Sequence, residues 1–503
     1  MHRRFLIFTV IILAGLFVRL WKLDIPLLEF NPSRQIQTAE ITENLIKSNF
    51  DILHPYVNYY GNGNTKYLLA EFPIYNLVVA YFEKLTNINN EISGRIVSIF
   101  SFLISFLFLF LLTRDLFGQN IAFLAVLFFS FSPLNILTSR SFQPDEMMLV
   151  CSLGSILFLY KWAKSKNNFL LIASLVLLLI ANLIKVSSFE ILAFPMLYIF
   201  KKYHPKHFLR ITLTFFLITL IPTFLWLRHA AIFSKNLQLA TVPGFRIAEF
   251  FRPELFLNFK YYSNIFGYEL NLVLGSIGLF LLALGLLKKL SDDQKILFLW
   301  LLGCTAYFLT FNVHIMSHEY YHLPFIPVAS VFIALGLENI VSNLRNLRVN
   351  KSFLMIVLST IFIFSTLPVI IARTYKPIER FGNVTIVGKK VENSTSSDEL
   401  IIGQMDDGPA LVHYSNRTGW GFGINPQKTL EHQKFIGLKD SLVDNPVNKI
   451  EELRKKGAVL FASSHKPQFL ENKEFSSYMY SNYLIIAETD NYVIFNLKNQ
   501  SFR

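Results

Sequence analysis

Residues 94–112 read GRIVSIFSFLISFLFLFLL, and Arg95 is the one charged residue among them. An α-helix rises about 1.5 Å per residue, so a run of this length crosses the hydrocarbon core of a bilayer, which is roughly 30 Å thick. A stretch that is apolar around its whole circumference therefore predicts a transmembrane helix.

The whole chain shares this apolar character. Of its 503 residues, 53% are hydrophobic and 16% are charged, whereas about 25% of the residues in an ordinary soluble domain are charged. The mean hydropathy is +0.42, and 51 residues are Phe. Since a soluble fold of this length still needs a polar surface, the composition argues against a soluble enzyme and predicts an integral membrane protein.

Similar apolar runs recur along the chain. We predict eleven transmembrane spans, at residues 5–21, 94–112, 120–138, 147–163, 168–184, 188–200, 209–227, 270–287, 295–311, 323–341 and 353–372. A twelfth apolar stretch, 68–85, contains Glu71, Pro73, Glu83 and Lys84, and this mixture is typical of an amphipathic helix lying at the membrane interface. The predicted fold class is an α-helical polytopic membrane protein.

Basic loops indicate the orientation in the membrane. If Arg3 and Arg4 hold the N-terminus in the cytoplasm, eleven spans place every later cytoplasmic loop on a basic stretch, whereas the short outer loops carry few Lys or Arg. Counting 68–85 as a span would invert all later loops. The net charge of +13 is then explained by the orientation in the membrane, and we expect no nucleic-acid partner. We expect the membrane to be a bacterial plasma membrane.

The composition changes after residue 372 to mixed polar residues and short apolar runs. We therefore divide the chain into a transmembrane domain, 1–372, with a long first outer loop at 22–93, and an extracytoplasmic α/β domain, 373–503. In this second domain we predict strands near 399–403, 458–462, 483–487 and 492–496, and a helix at 446–457.

Polar residues gather in the outer loops. The first loop holds the segment Leu28 to Gln35, with Glu29 and Arg34, and later Glu71 inside an apolar stretch, where a charge is costly. In the second outer loop, Asp145 follows a proline that is placed to start a helix. Solvation of the first-loop charges and helix capping by Asp145 are the structural alternatives to a catalytic role.

Several cations are placed to meet an anionic group. Lys185 sits where a span should leave the membrane, and the fourth outer loop contains Arg252 and Lys260 among aromatic residues. Such side chains bind phosphate well, but they also reach lipid headgroups as ordinary membrane anchors.

The stretch His318-Glu-Tyr-Tyr-His322 matches H-E-x-x-H, the pattern of zinc proteases. That chemistry needs a helix through both histidines, and Pro324 disfavours helical geometry just after His322. We therefore interpret the stretch as a loop entering a span, and we expect no protein-bound metal there.

Taken in order, these motifs resemble those of the GT-C class of polytopic glycosyltransferases, in particular the protein O-mannosyltransferase and aminoarabinose transferase group. The resemblance is carried by Pro26 to Gln35, Glu71 to Pro73, Pro144-Asp145 and Tyr320 to Pro324. It implies transfer of a sugar from a polyprenyl-phosphate donor to the hydroxyl of a protein, lipid or glycan acceptor on the outer side of the membrane.

The resemblance also implies roles for individual residues. Asp145 matches the second-loop acid, Arg34 the first-loop arginine near the donor, and Glu71 the acid of the interfacial helix. Asn31 and Pro32 stand where many relatives have an Asp-Glu pair, and an asparagine cannot act as a base. The candidate catalytic residues are therefore Asp145, Glu29 and Glu71.

The remaining expectations concern binding. The donor phosphate would contact Lys185, Arg252 and Lys260, and further substrate contacts are expected from Arg34, Gln35, Asn31, Tyr321 and His322. Nothing requires a metal, although Asp145 and Glu146 with Glu29 could hold a divalent cation through oxygen ligands. A lipid-linked glycan flippase or transporter and a membrane zinc protease remain as alternative functions, as does an inactive relative.

Overall fold

The computed structural model of the chain describes residues 2–60, 66–234, 250–343, 351–404, 409–424 and 445–500. Over these ranges, apolar helices form a bundle, and a mixed β-sheet packs against the long first loop. The helices up to residue 374 are α1 (His2–Leu20), α2 (Pro32–Lys47), α3 (Ile74–Thr86), α4 (Asn90–Phe117), α5 (Gln119–Phe131), α6 (Pro133–Ser139), α7 (Asp145–Ser165), α8 (Asn168–Ile184), α9 (Ser187–Tyr203), α10 (Phe208–Ser234), α11 (Phe259–Tyr268), α12 (Gly275–Leu286), α13 (Lys295–Thr310), α14 (Asn312–Ser317), α15 (Ile326–Asn343) and α16 (Lys351–Thr374).

Shorter helical turns connect some of these elements. A π-helical segment, Glu269–Leu274, joins α11 to α12, and a 3₁₀ helix, Glu319–Phe325, precedes α15. Two further 3₁₀ turns lie at Pro205–His207 and Pro253–Leu257.

Every predicted span coincides with helical structure. In the described part of the chain, six helical segments are long and apolar enough to cross a membrane, and a seventh arises if α5 and α6 form one broken span. These two helices meet at an angle of 66° because Pro133 lacks an N–H and keeps Ser132 extended. Three shorter apolar helices cover Leu6–Leu20, Asn168–Ile184 and Lys295–Thr310, so the count of eleven spans stays a prediction.

Glycines allow the closest helix contacts in the bundle. A Cβ atom on Gly336 of α15 would lie 1.8 Å from the carbonyl oxygen of Leu281 in α12, and one on Gly285 would lie 1.9 Å from the oxygen of Phe332. Small residues let membrane helices pack backbone to backbone in this way. The pair α12 and α15 therefore forms a tight unit.

The first loop is a folded part of the molecule. Helix α2 begins with Pro32 in its first turn and is largely buried. Helix α3, which covers most of the stretch 68–85, buries Tyr75 and Val79 on one face and exposes Tyr81 and Leu85 on the other. An exposed apolar face of this kind suits a helix that lies along the membrane interface.

The C-terminal region forms an α/β layer with the first loop. The sheet consists of β1 (Tyr59–Tyr60), β2 (Leu400–Gln404), β3 (Thr418–Phe422), β4 (Ala458–Ser463), β5 (Tyr483–Glu488) and β6 (Val493–Gln500), and its helices are α17 (Val384–Ser394), α18 (Ala410–Tyr414), α19 (Pro446–Lys455), α20 (Lys466–Glu471) and α21 (Lys473–Asn482).

All four predicted strands and the predicted helix are present in this layer. The strand order is β1-β3-β2-β4-β6-β5; the first four strands are parallel to one another, and β6 runs antiparallel to β4 and β5. Strand β1 comes from the first loop, so one sheet joins the two predicted domains. The division between residues 372 and 373 stays a prediction.

Candidate active site

Two ion pairs lie side by side where four separate segments meet. Arg34, in the first turn of α2, donates to the carboxylate of Glu71, which stands just before α3. Lys185, directly after α8, donates to the carboxylate of Asp145, the first residue of α7. Arg34 and Glu71 line a small pocket together with Pro144, the neighbour of Asp145. The structure thus brings together the first-loop and second-loop residues that the sequence singled out.

Aromatic rings enclose the Lys185 ammonium group. Its Nζ atom lies 4.6 Å from the ring centroid of Tyr320 and 4.4 Å from that of Tyr321. The negative faces of such rings attract a cation, and they hold the Lys185 side chain in a place where it is only 9% exposed. Tyr321 also stacks on His314, with the ring centroids 4.9 Å apart.

The electrostatics keep the first ion pair charged. Burial alone would raise the pKa of Glu71, but the charge and hydrogen bond of Arg34, with the charge of Lys185, hold it below its usual value. Burial likewise opposes the charge of Arg34, yet Glu71 raises the pKa of the guanidinium. Burial, followed by the charges of His318 and Lys185, lowers the pKa of His314 to about 3. The imidazole beside Lys185 is therefore neutral.

The two carboxylate oxygens of Asp145 have different surroundings. Its Oδ1 atom receives the Lys185 hydrogen bond, whereas Oδ2 is buried and has no hydrogen-bond partner within the described residues. A buried carboxylate oxygen without a partner is costly unless something else uses it. This atom is the candidate acceptor for a substrate proton.

Glu29 has a different environment from Asp145 and Glu71. It accepts a hydrogen bond of 2.6 Å from Arg95, and both side chains are buried. Arg95 also donates to the backbone oxygens of Leu23, Ile25 and Pro26, so the pair fastens the start of the first loop to α4. Burial, only partly opposed by Arg95, raises the pKa of Glu29. These contacts indicate a structural ion pair.

Gln35 and Asn31 shape the backbone near the site. The Gln35 amide donates to the oxygen of Phe30 at 2.6 Å and accepts from the backbone N–H of Phe142 at 2.8 Å, which ties the first loop to the second. Asn31 adopts a left-handed conformation with φ of 47° at the start of α2. Substrate binding by either side chain stays a prediction.

The cations of the fourth outer loop lie on less buried segments. The side-chain amide of Asn312 bonds to both the N–H and the carbonyl of Arg252, at 2.9 and 2.8 Å, and so fixes the backbone there. Lys260 is exposed in the first turn of α11. A role for either residue in phosphate binding remains a prediction.

The H-E-x-x-H stretch does not form a zinc-protease helix. Residues 319–325 form a 3₁₀ helix, in which side chains four apart diverge because the helix has three residues per turn. His322 is buried, donates from Nε2 to the oxygen of Ile315 at 2.9 Å, and shares a 2.6 Å hydrogen bond with Glu269. Glu319 accepts from Arg373.

Among the residues that the structure describes, no three His, Cys, Asp or Glu side chains converge as metal ligands would. The contacts of His322 make it a packing residue of this region, and its predicted contact with substrate stays untested.

Two arginines that the structure buries were assigned no role from the sequence. Arg95 holds Glu29, and Arg19 donates to the side chains of Ser139 at 2.6 Å and Asn135 at 2.5 Å. Both lie in or at the end of apolar runs. Burying a charge there costs free energy, so a charged residue in such a run usually has a specific partner. That cost is the signal by which they could have been found.

Comparison with known proteins finds a related family over part of the chain. Residues 71–226 match the family described as dolichyl-phosphate-mannose-protein mannosyltransferase. The matched stretch is less than half of the chain and includes Glu71, Asp145 and Lys185. No curated protein matches the chain.

Solved structures show the fold. ArnT from Cupriavidus metallidurans bound to undecaprenyl phosphate is similar with a TM-score of 0.60 and 13% identity, covering 97% of each chain. The oligosaccharyltransferase AglB of Archaeoglobus fulgidus, in complex with an inhibitory peptide and a dolichol-phosphate, has a TM-score of 0.56 at 12% identity, covering 97% of this chain and 74% of that one. Mycobacterial arabinofuranosyltransferase AftD has a TM-score of 0.52 at 11% identity, covering 92% of this chain and 36% of that one. The predicted resemblance to GT-C membrane glycosyltransferases is confirmed.

Proposed function

We propose that this protein is a glycosyltransferase that moves a sugar from a polyprenyl-phosphate donor to an acceptor hydroxyl at the outer face of the membrane. The observation that carries the proposal is the meeting of two carboxylate–cation pairs, Arg34 with Glu71 and Lys185 with Asp145, beside one pocket. The matched mannosyltransferase family and the polyprenyl phosphates bound by ArnT and AglB support it.

The chemistry needs few groups. The acceptor oxygen attacks C1 of the sugar, the bond from C1 to the phosphate oxygen breaks with its electron pair on the phosphate, and the hydroxyl proton passes to a carboxylate. Phosphate is a competent leaving group, so no general acid is required. Arg34 and Lys185 would stabilise the departing phosphate, because cations already placed near developing negative charge need little reorganisation.

Asp145 is the preferred base. Its Oδ2 atom, which has no hydrogen-bond partner in the described residues, can accept a proton, and Lys185 can turn from Asp145 to the donor phosphate. Glu71 is bound to Arg34, which makes it a weaker base and a counter-ion for that arginine. Glu29 also has a buried oxygen without a partner in the described residues, but the charges that act on it are those of Arg95 and Arg140, not those of Arg34 or Lys185, so we rank it below Asp145.

The carboxylates at the site do not fit a divalent cation. Asp145 is neutralised by Lys185 and Glu29 by Arg95, so of the three predicted ligands only Glu146 has no basic side chain bonded to it in the described part of the chain. A hard cation prefers several charged oxygens that share one space. The proposed reaction therefore uses side chains alone.

The proposed orientation follows the basic loops. An N-terminus in the cytoplasm and a C-terminal domain outside a bacterial plasma membrane would place both ion pairs at the outer ends of their helices. The zinc-protease alternative is disfavoured, because His322 and Glu319 are engaged with Glu269 and Arg373. No contact in the described residues specifically favours a flippase.

The test is transfer of radiolabelled sugar in membranes loaded with polyprenyl-phosphate mannose or a related donor. Wild type is compared with Asp145→Asn, Glu71→Gln and His318→Ala at matched expression. We expect transfer to be lost in Asp145→Asn, reduced in Glu71→Gln and retained in His318→Ala. Donor binding without transfer from any donor tried would contradict the proposal and favour a flippase or an inactive relative.

A further inference from the structure

A row of aromatic side chains leads away from the ion pairs, and we name it the aromatic track. Neighbouring ring centroids along its first part are 4.9, 5.6, 4.7, 5.0, 6.1 and 6.5 Å apart. Lys66 bridges the last of these rings, Tyr56, and the next, Tyr60, with Nζ 5.5 and 5.7 Å from their centroids, and Tyr60 lies 5.0 Å from the final ring. In order, the track comprises Phe72, Trp226, His229, Phe233, His54, Tyr67, Tyr56, Tyr60 and Trp420.

The track begins at the candidate active site. Phe72 follows Glu71 directly and lines the same pocket as Arg34. The far end is Trp420 of β3, in the C-terminal sheet. A ligand lying along the track would therefore have one end at the ion pairs and the other against the C-terminal region.

The elements that carry the track are held in register. The indole N–H of Trp226 donates to the oxygen of Ala70 at 3.4 Å, and the imidazole of His229 bonds to the oxygen of Leu53 at 2.9 Å. These bonds fasten the end of α10 to the first loop. The rings are thus fixed in position: Tyr67 is exposed, whereas Trp226 and Trp420 are buried and support their neighbours.

The track differs from an ordinary aromatic belt at a membrane interface. Belt residues face lipid, whereas Trp226 is only 5% exposed and packs inward on Phe72. Tyr67 is 42% exposed, and polar groups stand along the row, including Lys66 and the His54–Asp51 pair at 2.9 Å. Aromatic faces with polar groups at their edges suit a ligand that has both an apolar face and polar groups.

We infer that the aromatic track binds a saccharide chain and that the acceptor of this enzyme is a glycan, an inference that rests on the proposed function. A pyranose ring has an apolar C–H face that packs on an aromatic ring and a rim of hydroxyls that hydrogen-bond to polar neighbours. A polypeptide acceptor in extended form would instead be recognised through a row of backbone hydrogen bonds. The continuity of the track with the pocket would present a terminal hydroxyl to Asp145.

The test measures saccharide binding without donor, so it does not depend on transfer. The full-length protein in detergent is titrated with two series, mannose to mannohexaose and glucose to maltohexaose, with saturation-transfer NMR as the readout. We expect affinity to rise with chain length in at least one series. Tyr67→Ala should weaken binding of the longest member roughly three- to tenfold, the effect of losing one aromatic contact, whereas Tyr67→Phe should bind as wild type does.

Tyr81→Ala is the matched control, because Tyr81 of α3 is 49% exposed and stacks on Phe50, outside the track. Affinity that does not change with chain length in either series, or equal effects of Tyr67→Ala and Tyr81→Ala, would overturn the inference, as would binding of unglycosylated peptides at Tyr67. Length-dependent saccharide binding without any transfer would instead refute the proposed function and leave the saccharide site in place.

Discussion

At the residue scale, the carboxylate of Asp145 has the surroundings that a base for an acceptor hydroxyl needs. One oxygen is held by Lys185, which fixes the orientation of the carboxylate, and the other is buried without a partner in the described residues. Tyr320 and Tyr321 in turn hold Lys185. A ligand that takes up Lys185 would therefore release a positioned carboxylate close by.

Asp145→Asn tests this arrangement. The amide keeps the shape but cannot accept the proton, so we expect transfer to fall by about 10²- to 10⁴-fold, the range for loss of a general base. Initial rates at saturating donor measure the effect. The control is Asp115→Asn, which alters a partly exposed ion pair with Arg114 and should leave the rate unchanged. If the rate of Asp145→Asn lies within threefold of the wild-type rate, the base is another carboxylate.

Glu29→Gln tests the structural role of the Glu29–Arg95 pair. Removal of one partner leaves a buried arginine without its counter-charge, and such losses cost about 3–5 kcal/mol of folding stability. We expect a lower unfolding temperature and less folded protein, whereas transfer per folded molecule stays within a few-fold of wild type. Loss of transfer in fully folded Glu29→Gln would instead identify Glu29 as catalytic.

The residues of the site were partly predictable from the sequence. Arg34, Glu71, Asp145 and Lys185 could be found because charges are rare beside apolar runs and because their segments match a known order of motifs. The pairing of Glu29 with Arg95 could not be predicted, since Arg95 lies 66 positions away, on α4. Pairing at such distances depends on how the helices pack.

At the element scale, some strands could be predicted from their local sequence, whereas others depend on tertiary contacts. The strands β2, β4, β5 and β6 follow from short β-branched and aromatic runs. Strand β1 has two residues and no alternation, and β3 contains Gly419 and Gly421, so neither could be recognised locally. The stretch 120–138 was predicted as one span, without the break at Pro133 or the angle of 66° between α5 and α6.

The contact between α12 and α15 leads to a prediction at this scale. A Cβ on Gly336 would meet the Leu281 oxygen at 1.8 Å, so Gly336→Ala must force the two helices apart. We expect a destabilisation of about 1–3 kcal/mol, typical of overpacking, measured by thermal unfolding in detergent. Gly267→Ala is the control, because nothing lies within 4 Å of the added carbon. Equal stability of the two variants would contradict this packing.

At the scale of the whole molecule, one histidine connects the C-terminal region to the loop and helix that carry the site. His413 of α18 lies with Nδ1 3.3 Å from Glu40 of α2 and with Nε2 3.7 Å from Glu91 of α4. Its neighbour Tyr414 accepts a 2.7 Å hydrogen bond from the backbone of Leu27. The sheet provides a second connection through β1, so the region around the pocket is fixed from two sides.

The charge of His413 makes this connection sensitive to pH. Burial opposes the charge, but the hydrogen bonds of Glu40 and Glu91, with the charges of Glu40 and Glu43, outweigh it and raise the pKa from 6.5 to about 10. A group whose pKa is raised in the folded state stabilises that state fully below its pKa in the unfolded chain, and the contribution disappears as the pH rises through its pKa in the folded state.

We therefore expect the unfolding temperature to fall by at least about 2 °C between pH 7 and 10. In His413→Gln that pH-dependent fall should be absent or much smaller, because the neutral amide does not titrate. An unchanged slope in the variant would contradict this role of His413 and show that other groups set the alkaline limit.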